Sequence, residues 1–503
     1  MLRRPRQLFC SCSGCFCCLG AAGEGTISVK KADNIREIVL NTLLALEQEG
    51  DYSHKLIKAV LDKYSYWEER DRAFLKRVTE GTLERQLELD YYLNSYSRVS
   101  VGKMRPLIRC LMRMSVYQIL YMDGIPDSAV CNEACKLAAK RGFQSLKGYV
   151  NGVLRKISRE KEQLPLPDEN GETVQYFSVK YSMPEWLVEL WLGEYGWKIT
   201  ATLLRGLMEI HPVSMRFVST LSQTERESWC ERIRKQGAEL TQSRYLPYVY
   251  FLRQWGAWEG PAALPGFEDG MCTVQDVSSA LAVEAAGIKM GDFVMDVCAA
   301  PGGKSILAGE KAGTGRVLAR DISEAKVTLI EENIRRMKGK NIETEVFDAA
   351  QFCPGLEGKA DVVLLDVPCS GLGVIGKKRD IKYRITKEKM EGLCRLQKQI
   401  ARTCAGYVKS GGILLYSTCT IHSEENEGMV RFFIDELGME PVSLEETLPE
   451  AVLAQKKLLE ADLRSAGKAP MVKLTEEESA ACIQLLPGYM EADGFFIARF
   501  RRR

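Results

Sequence analysis

Two short stretches of this chain hold residue types that carry out covalent chemistry at neutral pH. One is Asp366-Val367-Pro368-Cys369-Ser370, and the other is Ser417-Thr418-Cys419-Thr420. A thiolate attacks electron-poor carbon, and a carboxyl group three residues from a thiol can hold or donate a proton. A free thiol has a pKa of ~8.5, so a nucleophilic cysteine needs a neighbouring cation, for which Lys304 is a candidate. A third stretch, Cys298-Ala299-Ala300-Pro301-Gly302-Gly303-Lys304-Ser305, is a turn of small residues. It is not a phosphate-binding P-loop, because Cys298 stands where that loop needs its first glycine. It is not the dinucleotide fingerprint either, because no third glycine opens the following helix. It reads as a nucleoside-binding turn, where backbone amides approach a ligand at a helix amino end.

Carboxylates recur downstream at the ends of apolar runs. Asp321 follows the second run, where an acid can accept both ribose hydroxyls. Asp348 follows the third expected strand, within Val346-Phe347-Asp348-Ala349, where it can accept from an adenine amino group, and Asp366 closes the fourth strand. One acid at a strand end is ordinarily a helix cap, and one cysteine among 17 is ordinarily an inert core thiol. Three acids at successive strand ends, with two thiols leaving strands beside polar residues, favour a ligand site.

The elements that must position these residues follow from periodicity. From about residue 266 onward, apolar runs alternate with helical stretches: Phe293–Val297, Val317–Ala319, Val362–Leu365 and Ile413–Tyr416. Continuous apolar runs bounded by turns are buried parallel strands, so residues 266–503 are expected to form a doubly wound α/β domain. A charged helical insertion is expected at about 440–480, before strands near Phe495–Ala498. Residues 29–165 repeat with a helical period and should form an all-α domain. Residues 166–265 should form a small α+β connecting domain.

The chain has 503 residues and 46% apolar composition, which suits about three globular domains. Net charge is +2, yet residues 1–165 hold 27 Lys+Arg against 19 Asp+Glu. A basic front half suits an RNA, DNA or acidic partner, with Arg105, Arg109, Arg113, Lys140, Arg141 and Lys147 as candidate phosphate contacts and Arg379 and Lys382 nearer the thiols. Only three histidines occur, His54, His211 and His422, and no His, Cys and acid set has metal-ligand spacing, so no metal is expected. No apolar run is long enough to span a membrane. The cysteines outside the leader read as reduced, mostly buried thiols, and a cytoplasmic monomer is expected. Residues 1–28, with Cys10, Cys12, Cys15, Cys17 and Cys18, read as a disordered leader.

The thiol-bearing pair of motifs resembles those of the RNA cytosine-C5 methyltransferases. Gln275-Asp276-Val277-Ser278-Ser279 and Asp380-Ile381-Lys382 are similar too. Asp71-Arg72-Ala73-Phe74 and Gly148-Tyr149-Val150-Asn151-Gly152-Val153-Leu154-Arg155 resemble the NusB-like RNA-binding helical domain. Together they are similar to the bacterial 16S ribosomal RNA methyltransferases of the RsmB type. Three departures stand out: Val367 where alanine is usual, Thr420 where serine is usual, and Lys378-Arg379 where His-Pro is usual. The resemblance implies a class I, Rossmann-like methyltransferase domain behind a NusB-like domain. It also implies S-adenosylmethionine as methyl donor, held by Cys298 to Lys304, Asp321, Asp348 and Asp366. It assigns Cys419 as nucleophile and Cys369 to product release, an order the residues alone leave open. Asp366 is the acid toward the base, and Lys304 its neighbour. The expected product is 5-methylcytosine in 16S rRNA; a transfer-RNA substrate and a non-catalytic RNA-binding assembly factor are the alternatives.

Overall fold

The computed structural model describes residues 34–49, 53–209, 212–258, 260–468 and 472–503. The expected leader with its five cysteines, and His211, lie outside the described residues. The helices from Ile35–Glu49 to Lys147–Glu160 form an all-α bundle. Its central helix, Pro106–Tyr121, is buried nearly all round, with Ile108, Leu111, Met112, Met114, Val116, Gln118 and Ile119 all inside. Gly81 of helix Glu69–Glu84 lets that helix approach the central one closely, since a Cβ there would lie 2.0 Å from the Tyr117 ring.

Behind the bundle come helices Thr173–Lys180 and Glu185–Met208, then strands β1 (Val213–Phe217), β2 (Glu239–Gln242), β3 (Val249–Gln254) and β4 (Cys272–Val274). The strands form an antiparallel sheet in the order β2-β3-β1-β4. Leu203, Leu204 and Leu207 of the longer helix share one buried cluster with Leu372, Ile375 and Met390, which tie it to the last part of the chain.

The second sheet contains β5 (Phe293–Asp296), β6 (Arg316–Asp321), β7 (Ile342–Val346), β8 (Ala360–Asp366), β9 (Val408–Thr418), β10 (Glu440–Pro441), β11 (Cys482–Leu485) and β12 (Phe495–Arg501). Their order is β10-β12-β9-β8-β5-β6-β7, with β11 also on β12. Strands β5 to β9 are parallel, and β12 runs antiparallel to β9. This is the doubly wound sheet expected from the apolar runs, finished by antiparallel strands. The edge strand β7 lacks an apolar run because Glu343, Glu345 and Val346 face solvent. β5 lies between β6 and β8, so the loops leaving β5 and β8 turn to opposite faces and open a crevice at the carboxyl edge. Helices Gly303–Ala312, Glu324–Arg336 and Lys387–Ala405 cover the two faces, and the helical insertion comprises Glu450–Ser465 and Glu476–Ala480. Among the described residues no helix is long and apolar enough to cross a membrane. The cysteines among them are free thiols; Cys110, Cys131, Cys135, Cys230, Cys272, Cys404 and Cys482 are buried.

The bundle grips the segment that follows Cys369. Arg379 pairs with Glu80 at 2.8 Å and Glu84 at 3.0 Å. Lys382 donates to the Glu84 carbonyl at 2.7 Å. Asp380 accepts from the Ser53 amide at 2.9 Å and its hydroxyl at 2.7 Å. The expectation that Arg379 and Lys382 face RNA phosphates is therefore corrected: both are consumed inside the protein. Burial also pulls the Lys382 pKa down to about 7, which makes it a poor standing cation. Of the six bundle cations, Arg109 is paired with Glu47, Arg113 with Asp90, and Lys140 and Arg141 with Glu37. Arg105 and Lys147 are exposed.

Candidate active site

Strand register explains why the two thiols meet. Asp366 at the end of β8 lies opposite Ser417 on β9. Each chain then leaves its strand at the same height, and Cys369 and Cys419 arrive with their sulfurs 3.3 Å apart. Both are partly buried rather than entombed. The contact splits the pair. Hydrogen bonding from Cys369 lowers the Cys419 pKa despite burial, with Lys378 and Lys304 also helping. The same contact, with burial, raises Cys369 well above the ordinary thiol range. Of the two sulfurs in contact, Cys419 is therefore the more acidic and Cys369 the less.

Lys304 Nζ lies 2.7 Å from Asp366 Oδ2, and Ser417 Oγ donates to Asp366 Oδ1 at 2.7 Å. Lys304 is held up by Asp366 against the opposite pull of burial. At the neighbouring strand end, Asp321 accepts from the Ala300 amide at 3.0 Å and the Ile322 amide at 2.8 Å, and Lys326 lies 2.9 Å away. Asp348 accepts from the Ala350 amide at 2.9 Å and shapes the loop after β7. Cys298 packs against an apolar cluster, and burial raises its pKa well above the ordinary value, so it is an inert thiol. Gly302 has φ +100°, and a Cβ there would lie 3.1 Å from the Ile330 side chain, so the turn from Cys298 to Lys304 needs glycine at that place.

Several groups in this site escape the sequence reading. Asp296 ends β5, is buried, and accepts from Ser305 Oγ at 2.6 Å. Burial, with Asp366 and Asp321 nearby, outweighs Ser305 and Lys304 and raises its pKa to about 6. Its place at a strand end was the available signal. Lys378, one of the departures from the RNA methyltransferase pattern, is exposed and acts on Cys419.

Residues 285–501 match the family described as 16S rRNA methyltransferase RsmB/F. Residues 33–159 match the NusB family. The probable ribosomal RNA small subunit methyltransferase B of Bacillus subtilis (strain 168) is 33% identical over 479 residues, covering 94% of this chain and 100% of that protein. This chain belongs to the RsmB/F family of 16S rRNA methyltransferases. The ribosomal RNA small subunit methyltransferase B of Escherichia coli O139:H28 is 29% identical over 483 residues, with 94% and 100% coverage. The crystal structure of PH0851 superposes with a TM-score of 0.70 at 24% identity, over 93% of this chain and 98% of that one, so its likeness is one of fold. Within the RsmB/F family frame, the bundle is the NusB-like part and the parallel sheet is the methyltransferase part.

Proposed function

We propose that this protein transfers a methyl group from S-adenosylmethionine to C5 of a cytosine in 16S rRNA through a covalent adduct at C6. The observation that carries this reading is the 3.3 Å contact of two unequal sulfurs at the carboxyl edge of the sheet, beside Lys304 and Asp366. The crevice suits a nucleoside sulfonium. Asp296, Asp321, Asp348 and Asp366 outnumber Lys304 and Lys326, so the pocket favours an added positive charge. The backbone from Cys298 to Lys304 would hold the nucleoside, and Asp321 would face its sugar once the half-exposed Lys326 swings aside. When bound, the donor supplies an electrophilic methyl carbon.

The chain's own residues supply the rest. The Cys419 thiolate adds to C6 and makes C5 nucleophilic. Lys304, whose proton Asp366 holds in place across 2.7 Å, takes over from the Asp366 carboxyl expected from the sequence as the group that can protonate N3 as electron density arrives there. After methyl transfer N3 returns its proton. Once the Cys419 sulfur is bonded to C6, the contact that raises the Cys369 pKa is gone, so Cys369 gives its proton to solvent and then takes the proton from C5. Cys419 then leaves as a thiolate, and the Cys369–Cys419 hydrogen bond reforms. The target base must lie outside its stack, which costs least in a loop of folded RNA. The exposed Arg105 and Lys147 of the bundle would hold phosphates.

Bisulfite mapping of 16S and transfer RNA from cells with and without the gene tests the proposal. One 16S cytosine should resist conversion only when the gene is present. A gene-dependent site in transfer RNA alone, or in neither RNA, would overturn the substrate.

A further inference from the structure

The residues immediately after the two thiols touch each other. Ser370 Oγ and Thr420 Oγ1 lie 2.6 Å apart. Ser370 Oγ is also 2.5 Å from Glu425 Oε1, and the Ser370 amide donates to Glu425 Oε2 at 2.9 Å. A hydroxyl has one hydrogen. With that of Ser370 spent on the carboxylate, Thr420 must donate to Ser370. The chain of donors therefore runs from the Cys419 loop, through the Cys369 loop, to Glu425.

Glu425 is fully buried, and its carboxylate is saturated. Gln397 Nε2 donates to its Oε2 at 2.8 Å and to the Pro368 carbonyl at 2.9 Å, which ties in the other side of the Cys369 loop. His422 Nδ1 lies 3.1 Å from Oε1. Burial pulls the His422 pKa down, but Cys394 and Glu425 outweigh it and raise it to about 9, so the ring can donate. One buried acid thus receives donors from both catalytic loops and from the helix behind them. Charge-assisted bonds of this kind in a dry setting are strong and costly to leave half-made.

We infer that Glu425 is a positioning residue which, through Ser370 and Thr420, fixes the separation of the Cys369 and Cys419 sulfurs. Thr420 in place of the usual serine is accommodated because only the hydroxyl is used. The activity side of this inference rests on the two-thiol mechanism; the geometry does not.

The test compares the full chain with Thr420→Val, Thr420→Ser and Glu425→Gln. Each protein is treated with dithiodipyridine. A thiolate attacks it, forming a mixed disulfide and releasing one thiopyridone. The neighbouring thiol then loses its proton, displaces the second thiopyridone and closes a Cys369–Cys419 bond. The linked peptide is timed by mass spectrometry, and methyl transfer to RNA is measured beside it. In Thr420→Val and Glu425→Gln, closure should slow at least about tenfold and turnover should fall about 10- to 100-fold, with S-adenosylmethionine affinity unchanged. Thr420→Ser should restore both. Equal closure in all the proteins would overturn the inference whatever the turnover, and so would slow closure in the parent. Fast parental closure that the variants slow, in a protein that transfers no methyl group, would support the positioning role and break the functional reading alone. Thr420→Val exchanges a hydroxyl for a methyl of the same shape, so it carries the test if Glu425→Gln fails to fold.

Discussion

Two segments that follow the same strand behave in opposite ways. Asp366 to Ser370 and Arg379 to Lys382 lie about ten residues apart, and both combine polar groups of opposite character. The charges of the second are closed off by Glu80, Glu84 and Ser53 from the bundle. Those of the first leave one sulfur activated by another at the edge of a crevice. Reactive residue types at fixed offsets from strand ends announced that they would meet. Charge alone did not say whether it faces solvent, RNA or a neighbouring domain.

The sharpest way to break this contrast is at the sulfurs. Cys419→Ala should lower methyl transfer to RNA by at least about 10³-fold while S-adenosylmethionine affinity, measured by calorimetry, stays within about twofold. Cys369→Ala should instead accumulate a covalent protein–RNA adduct on a denaturing gel, and intact turnover without adduct would remove its release role.

Next in size is a pH effect. Asp296, with its pKa near 6, must give up its proton for a cation to be stabilised beside it. As pH falls through that value, affinity for S-adenosylmethionine should drop about tenfold per unit, and Asp296→Asn should flatten that slope.

Arg379→Ala probes the other segment. It leaves Glu80 and Glu84 facing each other in a partly covered interface. It should cost about 1–3 kcal/mol in denaturant unfolding, with a smaller effect on turnover than either thiol substitution. The smallest change is expected at Lys378, which lowers the Cys419 pKa from an exposed position. Removing that cation raises the thiol pKa, so Lys378→Gln should move the acid limb of the rate profile toward higher pH. The loss at pH 7 should stay below about tenfold.

Much of this site was readable from local pattern. Four apolar runs became β5, β6, β8 and β9, and their ends delivered Asp321, Asp366 and both cysteines to one edge. Asp296 obeyed the same strand-end rule but went unread because the stretch after it drew attention to glycine. Glu425 and Gln397 were out of reach for a different reason. Their value lies in Glu425 meeting the Ser370 loop 55 residues away and the Gln397 helix 28 residues away, which no spacing along the chain encodes. Arg379 and Lys382 were misread because a cation bound to a domain nearly 300 residues earlier looks, in sequence, the same as a free one.

The grip of the bundle on this segment also says what keeps the molecule whole. Arg379 and Glu80 are 299 positions apart, yet they hold each other directly. The peptide running through residues 164–172 is then a tether and not the fastening. A protein nicked there should elute as a single species, its two fragments parting only when the fastening itself is broken.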